Sequence, residues 1–321
     1  MRWIRLILAL LSVAAAPPAL SQELYSAPSA SLAAGEHHIV INGTRIWYRV
    51  AGRPSGTPVV YLHGGPGQGS QSFAHFAGPH LEPHHRMVYL DQRGAGRSER
   101  PWNDTYSIDL IVDDLESLRR AWGVQRLDLI GHSIGAVFAM EYGARYPEHV
   151  SHIVLAGGVN DVQRAFDIQC ARLEREDPAA YQRAVAAKPA EWTARCNMMR
   201  AYSGAESERV LTSYMFPNPA TADILKEADE ANGLRNSGVV GAALFRQGFL
   251  TYQFRRTAEL RAPVLIIGGT RDRQSVIDMQ REFVRTLPNG RLLEYQGNGH
   301  FMWVEDPARF ARDVTAFLRR R

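Results

Sequence analysis

The segment at residues 127–135, with the sequence LDLIGHSIG, constrains the fold more than any other part of the chain. A short apolar run enters a Gly-x-Ser-x-Gly motif centred on Ser133, and a helical pattern follows until Pro147. A strand that turns this sharply into a helix needs small residues, here Gly131 and Gly135, and strains the backbone of the central serine. The free N–H groups at the start of a helix favour negative charge. The pattern therefore predicts a nucleophilic serine at position 133.

Residues 1–21 have the features of a secretory signal peptide. Arg2 and Arg5 supply positive charge, residues 4–16 form an apolar run, and small residues precede a cleavage position before Gln22. The run of about 13 residues is shorter than the ~20 that span a bilayer, which favours cleavage over an N-terminal membrane anchor. We therefore predict a protein that is exported to the periplasm or secreted, with no stable membrane association after cleavage.

The charge balance gives no sign of nucleic-acid binding. The formal charge of +4 becomes +2 once Arg2 and Arg5 leave with the signal. The basic triplet at 319–321 suits the C-terminal end of a helix, where positive charge is favourable.

The histidine pairs at 37–38 and 84–85 lack other residues at metal-ligand spacing. We expect no metal and no other cofactor, and the expected partner is a small molecule or a short peptide.

The chain contains two cysteines, Cys170 and Cys196. In an exported protein such a pair is a candidate disulfide, and the alternative is two buried free thiols. A bridge between positions 26 residues apart would stabilise the fold by roughly 3–4 kcal/mol in the chain-entropy description.

Two other apolar runs end in glycine-rich loops. The first is followed by HGGPG at 63–67, and the second is followed by DQRGAGRS at 91–98. A glycine cluster after a buried parallel strand can turn backbone N–H groups toward a reacting oxygen and form part of an oxyanion hole. Asp91 and Arg93 are better explained as charged hydrogen-bonding partners that fix their loop.

These three motifs, at 63–67, 91–98 and 131–135, stand in this order in the chain. Together they resemble the motifs of the α/β-hydrolase fold, and in particular those of its proline iminopeptidase branch of serine peptidases. The resemblance to these motifs is close over residues 58–159 and weaker over residues 263–318. It implies a mostly parallel, twisted sheet with helices on both faces and an inserted helical cap.

The strand–helix alternation stops between residues 157 and 258, where long helical patterns rich in Glu and Asp take over. About 100 residues between two sheet strands are too many for a loop. We therefore predict a helical cap at 157–258, placed between a first core part at 22–156 and a second core part at 259–321. Both cysteines fall inside this cap, which is expected to shape the substrate pocket and to exclude water.

One helix of the core is predicted in more detail, at residues 106–122. Apolar residues recur along one face of this helix at the spacing of an amphipathic helix. The other faces carry four acidic residues, which we expect to be solvated: Asp109, Asp113, Asp114 and Glu116.

An acid and a base follow later strand ends. Asp272 comes after an apolar strand pattern, and His300 lies on a loop after the last strand pattern. With Ser133 they give the chain order Ser, Asp, His that is typical of the fold. His300 would take the serine proton, and Asp272 would orient the imidazole. Asp161, which follows a different strand, is the alternative acid.

The predicted chemistry is serine-dependent hydrolysis through an acyl-enzyme, with the backbone N–H groups of Gly65 and Ile134 as the oxyanion hole. The resemblance implies an aminopeptidase that releases N-terminal residues, often proline, from short peptides or amides and binds their amine with cap carboxylates. The family's cap stretch with Trp and Glu has only a weak counterpart at Glu191-Trp192, so no substrate-binding residue is assigned. The alternatives are a carboxylesterase, lactonase or amide hydrolase, and an inactive binding protein, which the complete set of motifs disfavours.

Overall fold

The computed structural model describes residues 30–101, 105–231 and 238–320, so the predicted signal peptide at 1–21 lies outside the described residues. The described residues contain one eight-stranded sheet, with the order β1-β2-β4-β3-β5-β6-β7-β8. Strand β2 is antiparallel to β1 and β4, and every other neighbouring pair is parallel. The strands are β1 (Gly35–Ile41), β2 (Thr44–Gly52), β3 (Pro58–Leu62), β4 (Arg86–Asp91), β5 (Leu127–His132), β6 (Val150–Ala156), β7 (Val264–Gly269) and β8 (Gly290–Tyr295).

The helices of the described residues flank this sheet and fill the long insertion between β6 and β7. They are α1 (Gln71–Phe76), α2 (Gly78–Leu81), α3 (Ile108–Ala121), α4 (Gly135–Arg145), α5 (Val162–Glu176), α6 (Pro178–Ala186), α7 (Gly204–Met215), α8 (Pro219–Ala231), α9 (Val239–Arg246), α10 (Ile277–Val284), α11 (Met302–Glu305) and α12 (Pro307–Leu318). Within the described ranges, no helix is both long and apolar enough to cross a bilayer.

The sheet is covered on both faces, which is why its central strands are almost wholly apolar. Strands β3, β5 and β7 are buried along their whole length. Because side chains alternate along a strand, Val60 and Leu129 pack with α3 and α4, whereas Val59 and Ile130 pack with α1, α11 and α12. The predicted α/β class with a mostly parallel sheet is confirmed. Such a platform holds the loops at its strand ends in fixed positions.

Two of the four acidic residues on α3 are buried, so the prediction of a solvated face is wrong for Asp114 and Glu116. Asp114 accepts two hydrogen bonds from the Arg93 guanidinium, both at 2.6 Å. Glu116 accepts from Arg119 Nη2 at 2.8 Å and from Tyr142 Oη at 3.0 Å. A buried carboxylate is tolerated when it is paired and hydrogen-bonded in this way. Asp114 therefore holds the loop after β4, and Glu116 ties α3 to α4.

Helices α5 to α9 lie between β6 and β7, in the region predicted to be the cap. Cys170 in α5 and Cys196 have their sulfur atoms 2.00 Å apart, and both residues are buried in a small apolar cluster of their own. On the core side, the ring of Phe216, just after α7, stacks on Phe301 with a centroid distance of 4.8 Å. The insertion thus has its own small core and also packs against the loop that follows β8.

Candidate active site

Ser133 occupies the sharp turn between β5 and α4, and its φ angle is +54°. The glycines on either side are required by space, because a Cβ on Gly131 would lie 2.5 Å from the carbonyl oxygen of Gly135. A Cβ on Gly135 would collide with the carbonyl oxygen of Leu62 in β3. The N–H of Ser133 donates to the carbonyl of Ala156 at 3.0 Å. Neighbouring strands therefore hold the serine in a left-handed conformation that few non-glycine residues adopt.

Asp272 and His300 form a buried hydrogen-bonded pair. His300 Nδ1 donates to Asp272 Oδ2 at 2.8 Å. The other carboxylate oxygen accepts the backbone N–H groups of Gln274 at 2.7 Å and Ser275 at 2.9 Å. Hydrogen bonds to both carboxylate oxygens therefore fix the position of Asp272. The alternative acid, Asp161, instead caps α5 by accepting a backbone N–H of its first turn.

The loop of His300 is attached to the serine turn through His132. His132 Nε2 donates to the carbonyl oxygen of His300 at 3.0 Å, and the two rings are 4.9 Å apart. Burial, followed by the nearby His300, holds the pKa of His132 well below its usual range, which keeps it a neutral donor. No hydrogen bond joins the Ser133 hydroxyl to the His300 ring in the described part of the chain. Such bonds are often long before substrate binds.

Glu305 supports the same loop, and sequence reasoning missed it. Its two carboxylate oxygens accept the N–H of Gly299 at 2.9 and 3.0 Å. The N–H of His300 itself donates to the carbonyl of Met215, at the end of α7, at 2.7 Å. Burial raises the pKa of Glu305. The candidate base is therefore held by the core from one side and by the cap from the other.

The loop after β3 lies directly against the serine. A Cβ on Gly64 would come within 2.9 Å of the Ser133 Cβ, so only glycine allows this approach. The N–H groups of Gly65 and Ile134 donate to no residue within the described ranges. Both residues line the same cavity as Ser133. Two free N–H groups beside a serine are the arrangement that binds an oxyanion.

This loop and the loop after β4 are fixed to each other by buried hydrogen bonds. His63 Nε2 accepts the N–H of Gln92 at 3.1 Å, and burial lowers the pKa of His63, as a neutral acceptor requires. Asp91 Oδ1 accepts the N–H and the hydroxyl of Ser70, both at 2.7 Å, and Oδ2 accepts the N–H of Arg97 at 2.8 Å. Asp91 thus has the structural role that the sequence predicts.

The histidine pair at 84–85 makes ordinary hydrogen bonds. His84 Nδ1 accepts from Arg319 Nη2 at 3.3 Å, and His85 Nε2 lies 3.0 Å from the Thr315 hydroxyl. Across residues 30–101, 105–231 and 238–320, no group of three or more His, Cys, Asp or Glu residues is placed to hold a metal ion.

A cavity of about 330 Å³ opens above Ser133, between the sheet and the cap. Its wall is largely apolar, and its larger apolar members include Phe166, Met198, Met199, Met215, Phe245 and Phe249. Apart from Ser133, the polar side chains in the wall are those of Gln169, Gln274 and Ser275. None of the described residues that line the cavity is charged. A charged group bound in this cavity would have no charged partner among the described residues of its wall.

Comparison with known proteins agrees with this architecture. The chain is similar to a proline iminopeptidase of Xylella fastidiosa, with 40% identity over 126 residues. That match spans 38% of this chain and only 39% of the relative's length. In fold, the chain is similar to a proline iminopeptidase-related protein of Thermus thermophilus, with a TM-score of 0.73 at 24% identity, covering 88% of this chain and 96% of that one. An esterase from Rhodococcus sp. ECU1013 has a TM-score of 0.66 at 24% identity, with 88% and 97% covered.

The sequence profile of the alpha/beta hydrolase fold matches residues 57–307, which include strands β3 to β8 and the whole insertion between β6 and β7. This match agrees with the sheet order and with the positions of the serine, acid and histidine after β5, β7 and β8. The predicted resemblance to the α/β-hydrolase fold is confirmed. The chain belongs to the α/β-hydrolase fold family.

Proposed function

We propose that this protein is a serine hydrolase that forms an acyl-enzyme on Ser133. The observation that carries the proposal is the placement of the strained Ser133 turn beside the buried Asp272–His300 pair. A serine is a poor nucleophile at neutral pH unless a positioned base removes its proton. The hydrogen bond from His300 to Asp272 leaves the other ring nitrogen free to act as that base.

The reaction proceeds in two halves. Ser133 Oγ attacks the substrate carbonyl carbon while His300 Nε2 takes the hydroxyl proton. The resulting oxyanion accepts hydrogen bonds from the N–H groups of Gly65 and Ile134, each worth about 3 kcal/mol in comparable sites. His300 then returns the proton to the leaving group as its bond to the carbonyl carbon breaks. Water repeats the attack on the acyl-serine, and the acid product leaves.

The preferred substrates are neutral acyl compounds such as esters, lactones or amides with an apolar acyl part. The reason is the uncharged wall of the cavity above Ser133. An ammonium group placed there would lose its hydration with no described carboxylate in the wall to replace it, at a cost of several kcal/mol. An apolar acyl chain would instead gain about 0.8 kcal/mol for each CH₂ group it buries.

An aminopeptidase of the proline iminopeptidase type is the second candidate, favoured by the 40% identity with the Xylella fastidiosa relative. It would need a carboxylate for the substrate amine. Asp229 in α8 is the candidate, because its half-buried carboxyl group is hydrogen-bonded with Ser72 and Gln68 near the glycine loop. Ser72 and Gln68 belong to the segment that follows the glycine loop, although Asp229 is not among the residues that line the cavity.

A paired substrate test separates the two candidates. The purified protein is assayed with p-nitrophenyl butyrate and with proline p-nitroanilide, and Ser133→Ala and Asp229→Asn are assayed beside it. We expect turnover of the ester, no turnover of the anilide, loss of activity in Ser133→Ala and little change in Asp229→Asn. Turnover of the anilide that Asp229→Asn abolishes would establish the aminopeptidase. Full activity of Ser133→Ala would refute both candidates.

We further propose that residues 1–21 direct export and that the mature chain begins at Gln22. The bridged pair Cys170–Cys196 supports this, because structural disulfides persist in oxidising compartments. N-terminal sequencing of the protein recovered from its native host tests the proposal. A mature protein that still begins at Met1 in the cytoplasm would contradict it.

A further inference from the structure

Two glutamines form the polar part of the cavity wall. Gln169 lies in α5 of the cap and is buried, and Gln274 lies in the loop that follows β7. Both side chains line the cavity that contains Ser133. In a wall that is otherwise mostly apolar, two neighbouring amides are the groups that can recognise a polar feature of the substrate.

The orientation of this glutamine pair is fixed by its hydrogen bonds. Gln169 Nε2 donates to the main-chain carbonyl of Gln274 at 3.4 Å and to its side-chain Oε1 at 3.3 Å. The main-chain carbonyl can only accept, so the nitrogen of Gln169 must face Gln274. With both N–H groups of Gln169 directed this way, its Oε1 is left as an acceptor and the Gln274 Nε2 is left as a donor. Neither atom has a hydrogen-bond partner in the described part of the chain.

One free acceptor and one free donor in the same wall are complementary to the N–H and the C=O of a neutral secondary amide. We propose that Gln169 and Gln274 form a subsite for such an amide, and that the preferred substrates are esters or lactones that carry an acylamino group near the scissile carbonyl. In the bound substrate, the amide N–H donates to Gln169 Oε1, and the amide carbonyl accepts from Gln274 Nε2. The apolar remainder of the wall takes the hydrocarbon parts on either side.

A purely structural role for the pair makes a different prediction. The main-chain N–H of Gln274 donates to Asp272, so the Gln169 contact also links the cap to the loop of the candidate acid. If positioning of this acid were the whole function, removing either amide would lower kcat for every substrate alike. If the pair binds a substrate amide, removing either amide group would mainly raise KM, and only for substrates that contain that group.

The test compares methyl valerate with N-acetylglycine methyl ester, which has a chain of the same length with an amide within it. After division by the ratio of their alkaline hydrolysis rates, which removes the greater intrinsic reactivity of the acylamino ester, we expect the wild-type protein to favour the amide-containing ester in kcat/KM by about tenfold, the effect of one or two net hydrogen bonds. In Gln169→Leu and Gln274→Leu this preference should disappear through a rise in KM for the amide-containing ester, and kcat/KM should fall less for methyl valerate than for that ester. Met199→Leu, an apolar change in the same wall, should affect both esters to the same degree.

The inference depends on the proposed function, and the two can fail separately. Labelling of Ser133 by a fluorophosphonate probe reports the nucleophile alone. If the wild-type protein is labelled but shows no preference for the amide-containing ester, the subsite proposal is overturned and the hydrolase stands. An equal loss of kcat on both esters in the two leucine variants would also overturn it. The wild-type comparison decides the matter even if a leucine variant does not fold.

Discussion

Replacing Glu116 with glutamine is expected to destabilise the protein strongly at neutral pH and much less in acid. Glu116 lies in α3 with 4% of its side chain exposed, and it joins α3 to the helix that follows Ser133. The substitution keeps the size of the side chain but removes its charge. It leaves the guanidinium of Arg119, which is 11% exposed, without its ionic partner.

The size of this effect follows from the pKa of Glu116. Burial would raise this pKa, but hydrogen bonds from Arg119, Arg120 and Tyr142 outweigh it and lower the pKa from 4.5 to about 2. A shift of this size corresponds to about 3 kcal/mol of stability that is fully present above the unfolded-state pKa. The Arg120 side chain is 69% exposed, so solvent screens its share. We therefore expect Glu116→Gln to lower the free energy of unfolding at pH 7 by about 2 kcal/mol.

The sign of the pH dependence makes the test specific. Because the folded-state pKa is lowered, the stabilisation is lost as the pH falls from 4.5 through about 2. Urea unfolding at pH 7 and pH 3 should show that the difference between wild type and variant shrinks to less than half. Glu148→Gln removes a 63% exposed carboxylate and serves as the control, with a change of less than about 0.5 kcal/mol. A difference of the same size at both pH values would show that the charge of Glu116 does not provide this stability.

Three further substitutions test other parts of the structure. Gly135→Ala should reduce both kcat and stability sharply, because the Cβ of the new alanine would collide with the backbone of Leu62. An unchanged kcat would show that the turn around Ser133 can accommodate this methyl group. Glu305→Gln should lower kcat by about five- to tenfold with KM unchanged, because the charge-assisted hydrogen bond from the Gly299 N–H becomes a neutral one. A change confined to KM would contradict this prediction. Cys170→Ser with Cys196→Ser should lower the free energy of unfolding, measured in urea, by roughly 3 kcal/mol. A loss below about 1 kcal/mol would show that the disulfide contributes little to stability.

The central part of the fold could be predicted because its determinants are local. The Asn42-Gly43 pair predicts the hairpin of β1 and β2, and Asn42 indeed has a φ of +46°. Buried parallel strands are continuous apolar runs, so their ends, and the side chains that follow them, can be placed directly. Asp272 and His300 each follow a strand that the sequence marks clearly, which is why the pair could be predicted although the two residues are 28 positions apart.

The features that sequence reasoning missed depend on contacts between distant segments. Asp114 is paired with Arg93, 21 residues away, and periodicity within one helix carries no information about such a partner. The contact between Gln169 and Gln274 spans 105 residues and joins the cap to the core. Glu305 is only six residues from Gly299, but its role depends on how the chain folds back after β8. The cap contributes most of the cavity wall, so the substrate is the part that the sequence determines least directly.

In the proposed mechanism, the Asp272–His300 pair activates Ser133 as a nucleophile. The most direct measurement is peptide mass spectrometry after reaction of the purified protein with a fluorophosphonate probe at neutral pH. We expect one phosphonyl group per chain, attached to Ser133, and a rate of labelling that falls by about a thousandfold or more in His300→Ala. A protein that stays unlabelled, or that is labelled on another residue, would show that Ser133 is not an activated nucleophile.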